Sequence, residues 1–335
     1  MKSPLLGPLT LHMQLDQFPL VKPFQICGYT WETREVLTVT LTSGGKAGRG
    51  EAAGVYYKGD DAAAIMQKIY ALRTTIENGI SRQSLQTLLP PGGARNAIDC
   101  ALWDLEAKLT GCAAWAIAGL TELRPLMTTF TCGADLPATM AQDACNYRNA
   151  CAIKLKLTGS STDAERVRAV RAARPDVWLG VDANQGLTRA SLEALMPVLL
   201  ETHVSLIEQP FPVGQEVLLE GFQSPIPIAA DESVQCLGDL RSMTGRFQII
   251  NIKLDKCGGL TEGLAMARAA RALGLETMVG NMIGTSLAMA PAFLVGQLCS
   301  LVDLDGPVFL KADRPNPVQY KDGLLTCPET LWGNP

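Results

Sequence analysis

The chain has 335 residues, of which 47% are hydrophobic and 19% charged, and its formal net charge is −4. This length suffices for one large domain or two, and the slightly acidic balance gives no reason to expect nucleic acid as a partner. No stretch reaches the roughly 18 apolar residues of a membrane-spanning helix, and the start lacks the features of a secretory signal. Ten cysteines are scattered without CxxC spacing, so we predict reduced thiols in a cytoplasmic protein.

The first third of the chain has the patterns of a small mixed domain. Residues 9–15 and 35–42 alternate apolar and polar side chains, and Gly44-Gly45 supplies a turn before residues 48–55. These features predict an antiparallel sheet. Helical spacing of apolar residues follows in three segments, 60–78, 81–89 and 96–109. We therefore predict an α+β domain over residues 1–122.

From Pro125 onward, short apolar runs alternate with helical patterns, and five of the runs end on an ionisable residue. These residues lie 22 to 26 positions apart: Lys156, Asp182, Glu208, Asp231 and Lys253. Such a period is typical of successive βα units in a closed barrel, where the C-terminal ends of all strands face one mouth. Eight strands are counted, and the eighth, at 300–304, is followed by no clear helix.

The predicted fold class is α/β. It consists of a modified TIM barrel, (β/α)7β, over residues 123–310, preceded by the α+β capping domain at residues 1–122. The last segment, residues 311–335, is rich in proline, and we predict that it packs back on the capping domain.

Three of the strand-end residues, Asp182, Glu208 and Asp231, offer only carboxylate oxygens as ligands. Such a set suits Mg²⁺, for which Mn²⁺ can substitute, whereas zinc sites more often include His or Cys. We predict one ion per subunit. Lys154 and Lys156 point to the same face of their strand because they are two residues apart, and the nearby carboxylates supply their counter-charges.

Two lysines are placed to act on a substrate from both sides. Lys156 on the second strand and Lys253 on the sixth lie across the barrel mouth, with the carboxylates between them. A buried lysine near a cation has a lowered pKa and can act as a general base, and a metal can stabilise the charge left when an α-carbon loses its proton. One base on each face of a planar enediolate is what a racemase or epimerase requires.

Five motifs carry a resemblance to the muconate-lactonising subgroup of the enolase superfamily: KLK (154–156), VDAN (181–184), IEQP (207–210), ADES (230–233) and NIKLDKCGG (251–259). By that resemblance Lys156 and Lys253 form the acid/base pair and the three carboxylates bind Mg²⁺. By the same resemblance, Lys154 and Asn184 would contact these residues without binding the metal themselves. The two histidines, His12 and His203, do not fall on a late strand end, which disfavours a mandelate-racemase type of base.

The segment Asp303-Leu304-Asp305-Gly306 is similar to the Asp-x-Asp motif with which dipeptide epimerases hold the substrate's free ammonium group. Asp303 and Asp305 share one face of the last strand, as a two-carboxylate clamp needs. Within this subgroup the chain resembles the epimerases of L-Ala-D/L-Glu dipeptides in murein peptide recycling. This resemblance implies a dipeptide substrate whose C-terminal residue is inverted by a 1,1-proton transfer between two lysines through an enediolate.

Two positions depart from that pattern. Gly28 stands where the resembling enzymes carry an Arg that binds the substrate's Glu side chain, and Asn281 stands where many relatives have Cys. From the first change we predict that Ala-Glu is not strongly preferred over L-Ala-Xaa dipeptides with an apolar or uncharged Xaa. A strong preference would require another cation, such as Arg34 or Lys22, in place of the missing Arg.

Other hypotheses also stay open. The same scaffold supports muconate cycloisomerisation, o-succinylbenzoate synthesis and N-acylamino acid racemisation, whose substrates lack a free ammonium group for Asp303 and Asp305. A non-catalytic binding protein on this fold is a further alternative, although no metal ligand or lysine is lost. The expected partner is a small-molecule dipeptide, with neither nucleic acid nor membrane. Assembly into a homo-oligomer is left open.

Overall fold

A computed structural model describes residues 7–335 of the chain, so predictions made for residues 1–6 lie outside the described part. The N-terminal sheet has three antiparallel strands in the order β1-β2-β3. They are β1 (Thr10–Ile26), β2 (Tyr29–Ser43) and β3 (Lys46–Ala52). The first two are longer than the sequence patterns predicted, and Gly44-Gly45 forms the predicted turn between β2 and β3 with positive φ angles of 55° and 72°.

Five helices complete the capping domain, and the long fourth one packs on the sheet. They are α1 (Ala62–Ala71), α2 (Arg73–Glu77), α3 (Arg82–Leu88), α4 (Gly93–Thr110) and α5 (Ala114–Ile117). Two glycines of β3 permit the close approach of α4. A Cβ atom on Gly50 would lie 2.1 Å from the carbonyl oxygen of Ala97, and one on Gly48 would lie 2.3 Å from that of Ala101. The apolar side of α4 thus contributes directly to the core of this domain.

Eight parallel strands form the barrel sheet in strictly sequential order, which confirms the predicted fold class. A two-residue strand, β4 (Leu126–Met127), precedes them. The eight barrel strands are β5 (Thr129–Cys132), β6 (Ala152–Lys156), β7 (Trp178–Asp182), β8 (Leu206–Glu208), β9 (Ile228–Ala230), β10 (Ile249–Lys253), β11 (Glu276–Gly280) and β12 (Leu301–Asp303). The first and last strands are joined by side-chain bonds, in which Thr128 accepts from the N–H of Leu304 and Thr129 donates to Asp303.

The connecting helices are α6 (Pro137–Asn146), α7 (Asp163–Ala173), α8 (Arg189–Glu201), α9 (Leu240–Met243), α10 (Leu254–Cys257), α11 (Leu260–Ala272) and α12 (Ser286–Gly296). Short 3₁₀ turns occupy four further segments, Tyr56–Lys58, Glu216–Leu219, Leu237–Asp239 and Gly306–Phe309. The last of these follows β12 in place of an eighth helix, as predicted for a (β/α)7β barrel. Within residues 7–335, no helix is both long and apolar enough to cross a membrane.

The interior of the barrel changes from apolar to charged along the strands. At the N-terminal end, Leu206, Ala229, Ile249 and Met278 form one apolar cluster. Side chains two apart along a strand share a face, so Glu208 stands above Leu206. The same alternation along the other strands turns the C-terminal end into a charged mouth.

The C-terminal tail contacts both the barrel and the capping domain. Its strands β13 (Gln319–Lys321) and β14 (Leu324–Thr326) form a small antiparallel sheet with β4. Arg314 pairs with Asp16 and Glu51 of the capping domain at 2.9 and 2.7 Å. The division into segments at residues 122 and 310 stays a prediction.

Candidate active site

The five ionisable residues predicted at strand ends all lie at the C-terminal mouth of the barrel. Lys156, Asp182, Glu208 and Lys253 are the last residues of β6, β7, β8 and β10, and Asp231 directly follows β9. In the register of the sheet, Lys156 is level with Asp182 and Asp182 is level with Glu208. Neighbouring charges therefore stand at the same height around the mouth.

Asp182, Glu208 and Asp231 form a buried carboxylate cluster, in which one oxygen of each residue lies within 4.8 Å of the others. Burial and the Asp182 carboxylate raise the pKa of Glu208, because like charges held together in a poorly solvated site disfavour ionisation. Three convergent, hard oxygen donors fit a small divalent cation such as Mg²⁺. The residues present therefore suit the ion that the sequence analysis predicted.

Lys156 and Lys253 contact the carboxylate cluster from two sides. The Nζ atom of Lys156 lies 2.5 Å from Asp182 Oδ2, and that of Lys253 lies 2.6 Å from Asp231 Oδ2. Both lysines are buried and line the same cleft. In the sheet, β6 and β10 are separated by the three strands that carry the carboxylates. The two ammonium groups therefore approach the cleft from opposite sides of the cluster.

The protein's own groups hold Lys253 in its protonated form. Burial acts to lower the pKa of Lys253, but the carboxylates around it, led by Asp231 and Glu208, raise it well above its ordinary value. The lowered pKa expected of a lysine base therefore requires a cation that offsets these carboxylates.

Lys154 connects the carboxylate cluster with the last strand. Its Nζ atom donates to Asp303 and, at 3.2 Å, to Glu208, and it lies 3.8 Å from Asp182. Its side chain is 2% exposed. Burial alone would lower the pKa of Lys154, but the three carboxylates raise it. Lys154 is thus a fixed positive charge that ties Asp303 to the cluster.

Asp303 and Asp305 line the cleft beside the lysines, but they differ in their partners. The two oxygens of Asp303 accept bonds from Lys154 and Thr129. Asp305 accepts a bond of 2.7 Å from the N–H of Thr131, and no described cation lies within 4.0 Å of it. Burial and the neighbouring Asp303 raise the pKa of Asp305 to about 6. Asp305 is therefore the carboxylate of this pair that is better suited to accept a substrate cation.

Two buried residues that complete the site, Lys256 and Asn251, were not identified from the sequence. Lys256 Nζ donates to Asp231 Oδ1 at 2.6 Å and to the carbonyl of Asn251 at 3.0 Å, and Asn251 Nδ2 donates to Glu208 Oε1 at 2.6 Å. Asn251 could have been found, because it lies two residues before Lys253 and shares its face. Lys256 had no such signal, because only the short helix α10 turns it back toward Asp231.

Loops after β7 and β8 orient two of the carboxylates. Asn184 and Gln209 have positive φ angles of 41° and 36°, which are unfavourable for residues other than glycine. The N–H of Asn184 donates to Asp182 Oδ1 at 2.9 Å, and its amide donates to Glu232 at 3.2 Å. The Gln209 side chain accepts a bond of 2.9 Å from the N–H of Asp231. The strained backbone therefore accompanies a fixed arrangement of the cluster.

A cleft that is partly open to solvent separates the charged mouth from the capping domain. The described residues that line it from the capping domain are mostly aromatic or apolar: Phe24, Ile26, Trp31, Arg34 and Tyr56. The rings of Trp31 and Tyr56 pack edge to face with centroids 5.1 Å apart. The cleft therefore has one charged wall and one predominantly apolar wall.

Three capping-domain positions bear on the open question of specificity. Gly28 lies in the turn between β1 and β2 with a φ angle of 78°, and the space around it is open. Lys22 is exposed and pairs with Asp143, and it is not among the residues that line the cleft. Arg34, in β2, does line the cleft.

A barrel whose mouth combines facing lysines with a carboxylate cluster, closed by an α+β cap, defines a class of enzymes that hosts several reactions. Two family models match the chain: "Mandelate racemase / muconate lactonizing enzyme, N-terminal domain" over residues 10–119 and "Enolase C-terminal domain-like" over residues 138–331. The chain therefore belongs to the mandelate racemase/muconate lactonizing enzyme family of the enolase superfamily, as its motifs predicted.

Its similarity to known proteins extends over nearly the whole chain. It is 38% identical to the L-Ala-D/L-Glu epimerase of Escherichia coli K12, over 92% of this chain and 97% of that protein. An Agrobacterium tumefaciens enolase family member with homology to dipeptide epimerases, solved with sodium and L-Ala-L-Glu, is 40% identical. It superposes with a TM-score of 0.94, over 97% of this chain and 100% of that one.

A more distant structure is that of a dipeptide epimerase from Methylococcus capsulatus, complexed with Mg and the dipeptide L-Arg-D-Lys. It is 28% identical and has a TM-score of 0.88, and 98% of each chain is covered. The fold is thus shared with proteins whose dipeptides differ in charge.

Proposed function

We propose that this protein is a Mg²⁺-dependent dipeptide epimerase that inverts the α-carbon of the C-terminal residue of L-Ala-Xaa dipeptides. The observation that carries the proposal is the mouth of the barrel, where Lys156 and Lys253 approach one cleft from opposite sides of three buried carboxylates. That arrangement supplies a proton acceptor on one face of a planar carbon and a proton donor on the other.

Asp182, Glu208 and Asp231 would hold the metal ion. When bound, the ion would supply positive charge near the substrate's terminal carboxylate, and this charge would also offset the carboxylates that raise the pKa of Lys253. Lys154 and Asn251 keep Glu208 in place through bonds of 3.2 and 2.6 Å. Lys256 does the same for Asp231 at 2.6 Å.

The proton transfer is assigned to Lys156 and Lys253. One lysine, in its neutral form, removes the α-proton of the C-terminal residue, and the other, as an ammonium ion, returns a proton to the opposite face. The roles are exchanged for the opposite epimer. Because both side chains are buried at fixed strand ends, neither needs a large movement to reach its face of the substrate.

Asp305, supported by Asp303, is assigned to the substrate's free ammonium group. Asp305 has no described cationic partner within 4.0 Å, whereas Asp303 is already bonded to Lys154 and Thr129. An ammonium ion in the cleft would therefore form a charge-assisted bond mainly with Asp305. The N-acylated substrates of related reactions would leave that carboxylate without a partner.

The test is isotope exchange with a panel of L-Ala-Xaa dipeptides and Mg²⁺ in D₂O. We expect mass spectrometry to detect one deuterium at the C-terminal α-carbon, and chiral chromatography to detect both epimers. N-acylamino acids and a muconate serve as competing substrates in the same assay. Turnover of these alone, with no exchange into any dipeptide, would contradict the proposal and favour another reaction of the family.

The cellular setting is part of the same proposal. We propose a cytoplasmic enzyme of peptidoglycan recycling that acts without nucleic acid or membrane partners, and the ten free thiols support a reducing compartment. Fractionation of the producing cells tests the location. The oligomeric state stays open, and light scattering of the purified protein would determine it. The boundaries near residues 122 and 310 are proposed as the limits of the barrel.

A further inference from the structure

Residues 303–305, which include both carboxylates of the proposed ammonium site, lie at and beyond the end of the barrel sheet. The ladder between β11 and β12 ends at Asp303, so the main-chain groups that follow need other partners. The carbonyl of Asp303 accepts a bond of 2.5 Å from Asn281 Nδ2, and the N–H of Leu304 donates to Thr128 Oγ1 at 2.9 Å. Side chains therefore replace the ladder in holding this segment.

The carbonyl between the two aspartates is held by a residue of the C-terminal tail. Tyr320 Oη donates to the carbonyl oxygen of Leu304 at 2.6 Å. This carbonyl and the N–H of Asp305 belong to one planar peptide group, so the bond fixes the orientation of the peptide from which Asp305 extends. Rotation of that peptide would displace the Asp305 side chain. Tyr320 is not among the residues that line the cleft, so it can affect a ligand there only through its neighbours.

Tyr320 is itself fixed in place. It lies on β13 opposite Leu325 of β14, and β14 pairs with β4, which precedes the first barrel strand. Its ring packs edge to face against Phe130 of β5, with centroids 5.8 Å apart. Burial and the neighbouring Asp305 raise the pKa of the Tyr320 hydroxyl well above its ordinary value, so the hydroxyl stays protonated and remains a donor. The Leu304 carbonyl thus has a rigid partner.

We propose that Tyr320 is a positioning residue for the ammonium site, because its bond to the Leu304 carbonyl keeps the Asp305 carboxylate directed at the substrate's free ammonium group. Thr128 acts on the same residue through its N–H. This inference rests on the proposed epimerase function and extends it, since it gives the C-terminal tail a part in recognising the N-terminal residue of the dipeptide. A charge-assisted bond depends on distance and direction, so a small displacement of Asp305 weakens it.

The experiment uses the L-Ala-L-Xaa dipeptide that the wild type turns over fastest. Its kcat/KM is measured with Mg²⁺ in wild type, Tyr320→Phe, Asp305→Asn and the double variant. Tyr320→Phe removes the hydroxyl and keeps the ring that packs on Phe130. We expect it to lower kcat/KM by roughly 3- to 10-fold, a part of what complete loss of a hydrogen bond to a charged group costs. In the Asp305→Asn background the same substitution should have no further effect, because residues that act through one another are not additive.

Two further substitutions show whether this dependence on Asp305 is specific. The Tyr57 hydroxyl accepts a bond of 2.9 Å from Gln235, in the loop after β9, so Tyr57→Phe should have the same effect with and without Asp305→Asn. Thr128→Val removes the acceptor of the Leu304 N–H at nearly constant volume. Its effect should disappear in the Asp305→Asn background.

A ligand without an amino group provides a second readout. The matching N-propionyl amino acid has the carbon skeleton of the L-Ala-L-Xaa dipeptide but offers no ammonium group to Asp305. Its competitive inhibition constant should therefore be unchanged in Tyr320→Phe. A general distortion of the cleft would instead weaken the dipeptide and this analogue together.

Equal effects of Tyr320→Phe with and without the Asp305 carboxylate would show that Tyr320 only anchors the tail, and would overturn the inference while the epimerase function stands. A kcat/KM that Tyr320→Phe leaves unchanged would overturn it too. If Tyr320→Phe failed to fold, Thr128→Val would decide by the same comparison. If the wild type exchanged no dipeptide α-proton at all, the proposed epimerase function itself would be wrong, and this inference would fall with it.

Discussion

The two walls of the cleft are built in opposite ways. On the barrel side, the carboxylates and lysines stand at the ends of paired strands and are bonded to one another, as Lys156 is to Asp182 and Lys253 to Asp231. On the capping side, the wall is mainly aromatic, and its cation, Arg34, is bonded to main-chain carbonyls. On the barrel wall most charged groups pair with one another, although Asp305 has no described cation within 4.0 Å, whereas on the capping wall Arg34 is held by carbonyl groups alone.

This difference separates chemistry from recognition. A proton transfer needs groups that are held within tenths of an ångström, and strand ends in a closed sheet provide that rigidity. Recognition of a variable side chain needs a surface that can change without disturbing the reacting groups, and the β1–β2 hairpin of the capping domain is such a surface. Substitutions on the barrel wall should therefore affect all substrates, and those on the capping wall should affect some.

The largest effect should follow removal of the metal or of its central ligand. Chelation should abolish epimerisation and added Mg²⁺ or Mn²⁺ should restore it, because stabilisation by a bound metal is worth several kcal/mol, or about 10³-fold or more in rate. Glu208→Gln should be equally inactive while it stays folded. Circular dichroism provides the folding control, and full activity after exhaustive dialysis against chelator would contradict the metal assignment.

The next effect should follow loss of either lysine. Lys156→Ala and Lys253→Ala should each lower epimerisation by about 10²–10⁴-fold, the usual cost of removing a general acid or base. Each variant should still exchange the α-proton of the one epimer that its remaining lysine can reach, which separate incubations of the two epimers in D₂O would measure. Epimerisation within a few fold of wild type in either variant would rule out the two-lysine mechanism.

A smaller, substrate-dependent effect should come from the ammonium site. Asp305→Asn should lower kcat/KM for free dipeptides by roughly 10- to 100-fold, because an ammonium ion would lose a charge-assisted bond in a poorly solvated site. Residual turnover of the matching N-acetyl dipeptide should be unchanged. Asp303→Asn is a less specific probe, because it also leaves Lys154 without its partner. Equal losses on free and acetylated substrates would contradict the assignment of Asp305.

The smallest effect should be a pH-dependent change in stability caused by Asp255, which accepts bonds from Ala53 and Gly54 where the capping domain contacts the barrel. Burial raises the pKa of Asp255 from 3.8 to about 6, so the folded state binds a proton more tightly than the unfolded state. Stability from this group is therefore fully present below about pH 4 and is lost as the pH rises through 6. Asp255→Asn removes the titration, while its amide oxygen can still accept bonds from Ala53 and Gly54.

The stability of Asp255→Asn relative to wild type should therefore increase by roughly 1–2 kcal/mol between pH 5 and pH 7.5, as measured by urea unfolding. Asp176→Asn is the control. The Arg174 side chain lowers the pKa of Asp176 to about 2, so its carboxylate stays ionised throughout this range. If the two variants had the same pH dependence, Asp255 would not be the titrating group.

The sequence by itself determined the barrel and the identity of its charged mouth. Apolar runs that end on Lys156, Asp182, Glu208, Asp231 and Lys253 at a βα period identify strand ends, and strand ends of a closed parallel sheet must converge. Alternation with period two also placed Lys154 beside Lys156 on one face. These inferences succeeded because they depend on local periodicity, which a sequence displays directly.

Only the tertiary structure decided how the charged residues of the barrel mouth are paired and which capping-domain residues line the cleft. The bond between Lys154 and Asp303 joins residues 149 positions apart, and Lys256 reaches Asp231 only because α10 turns back over the mouth. The sequence also did not show that Arg34 lines the cleft and Lys22 does not. No local pattern encodes such distances, because they arise when the barrel closes and the capping domain packs on its mouth.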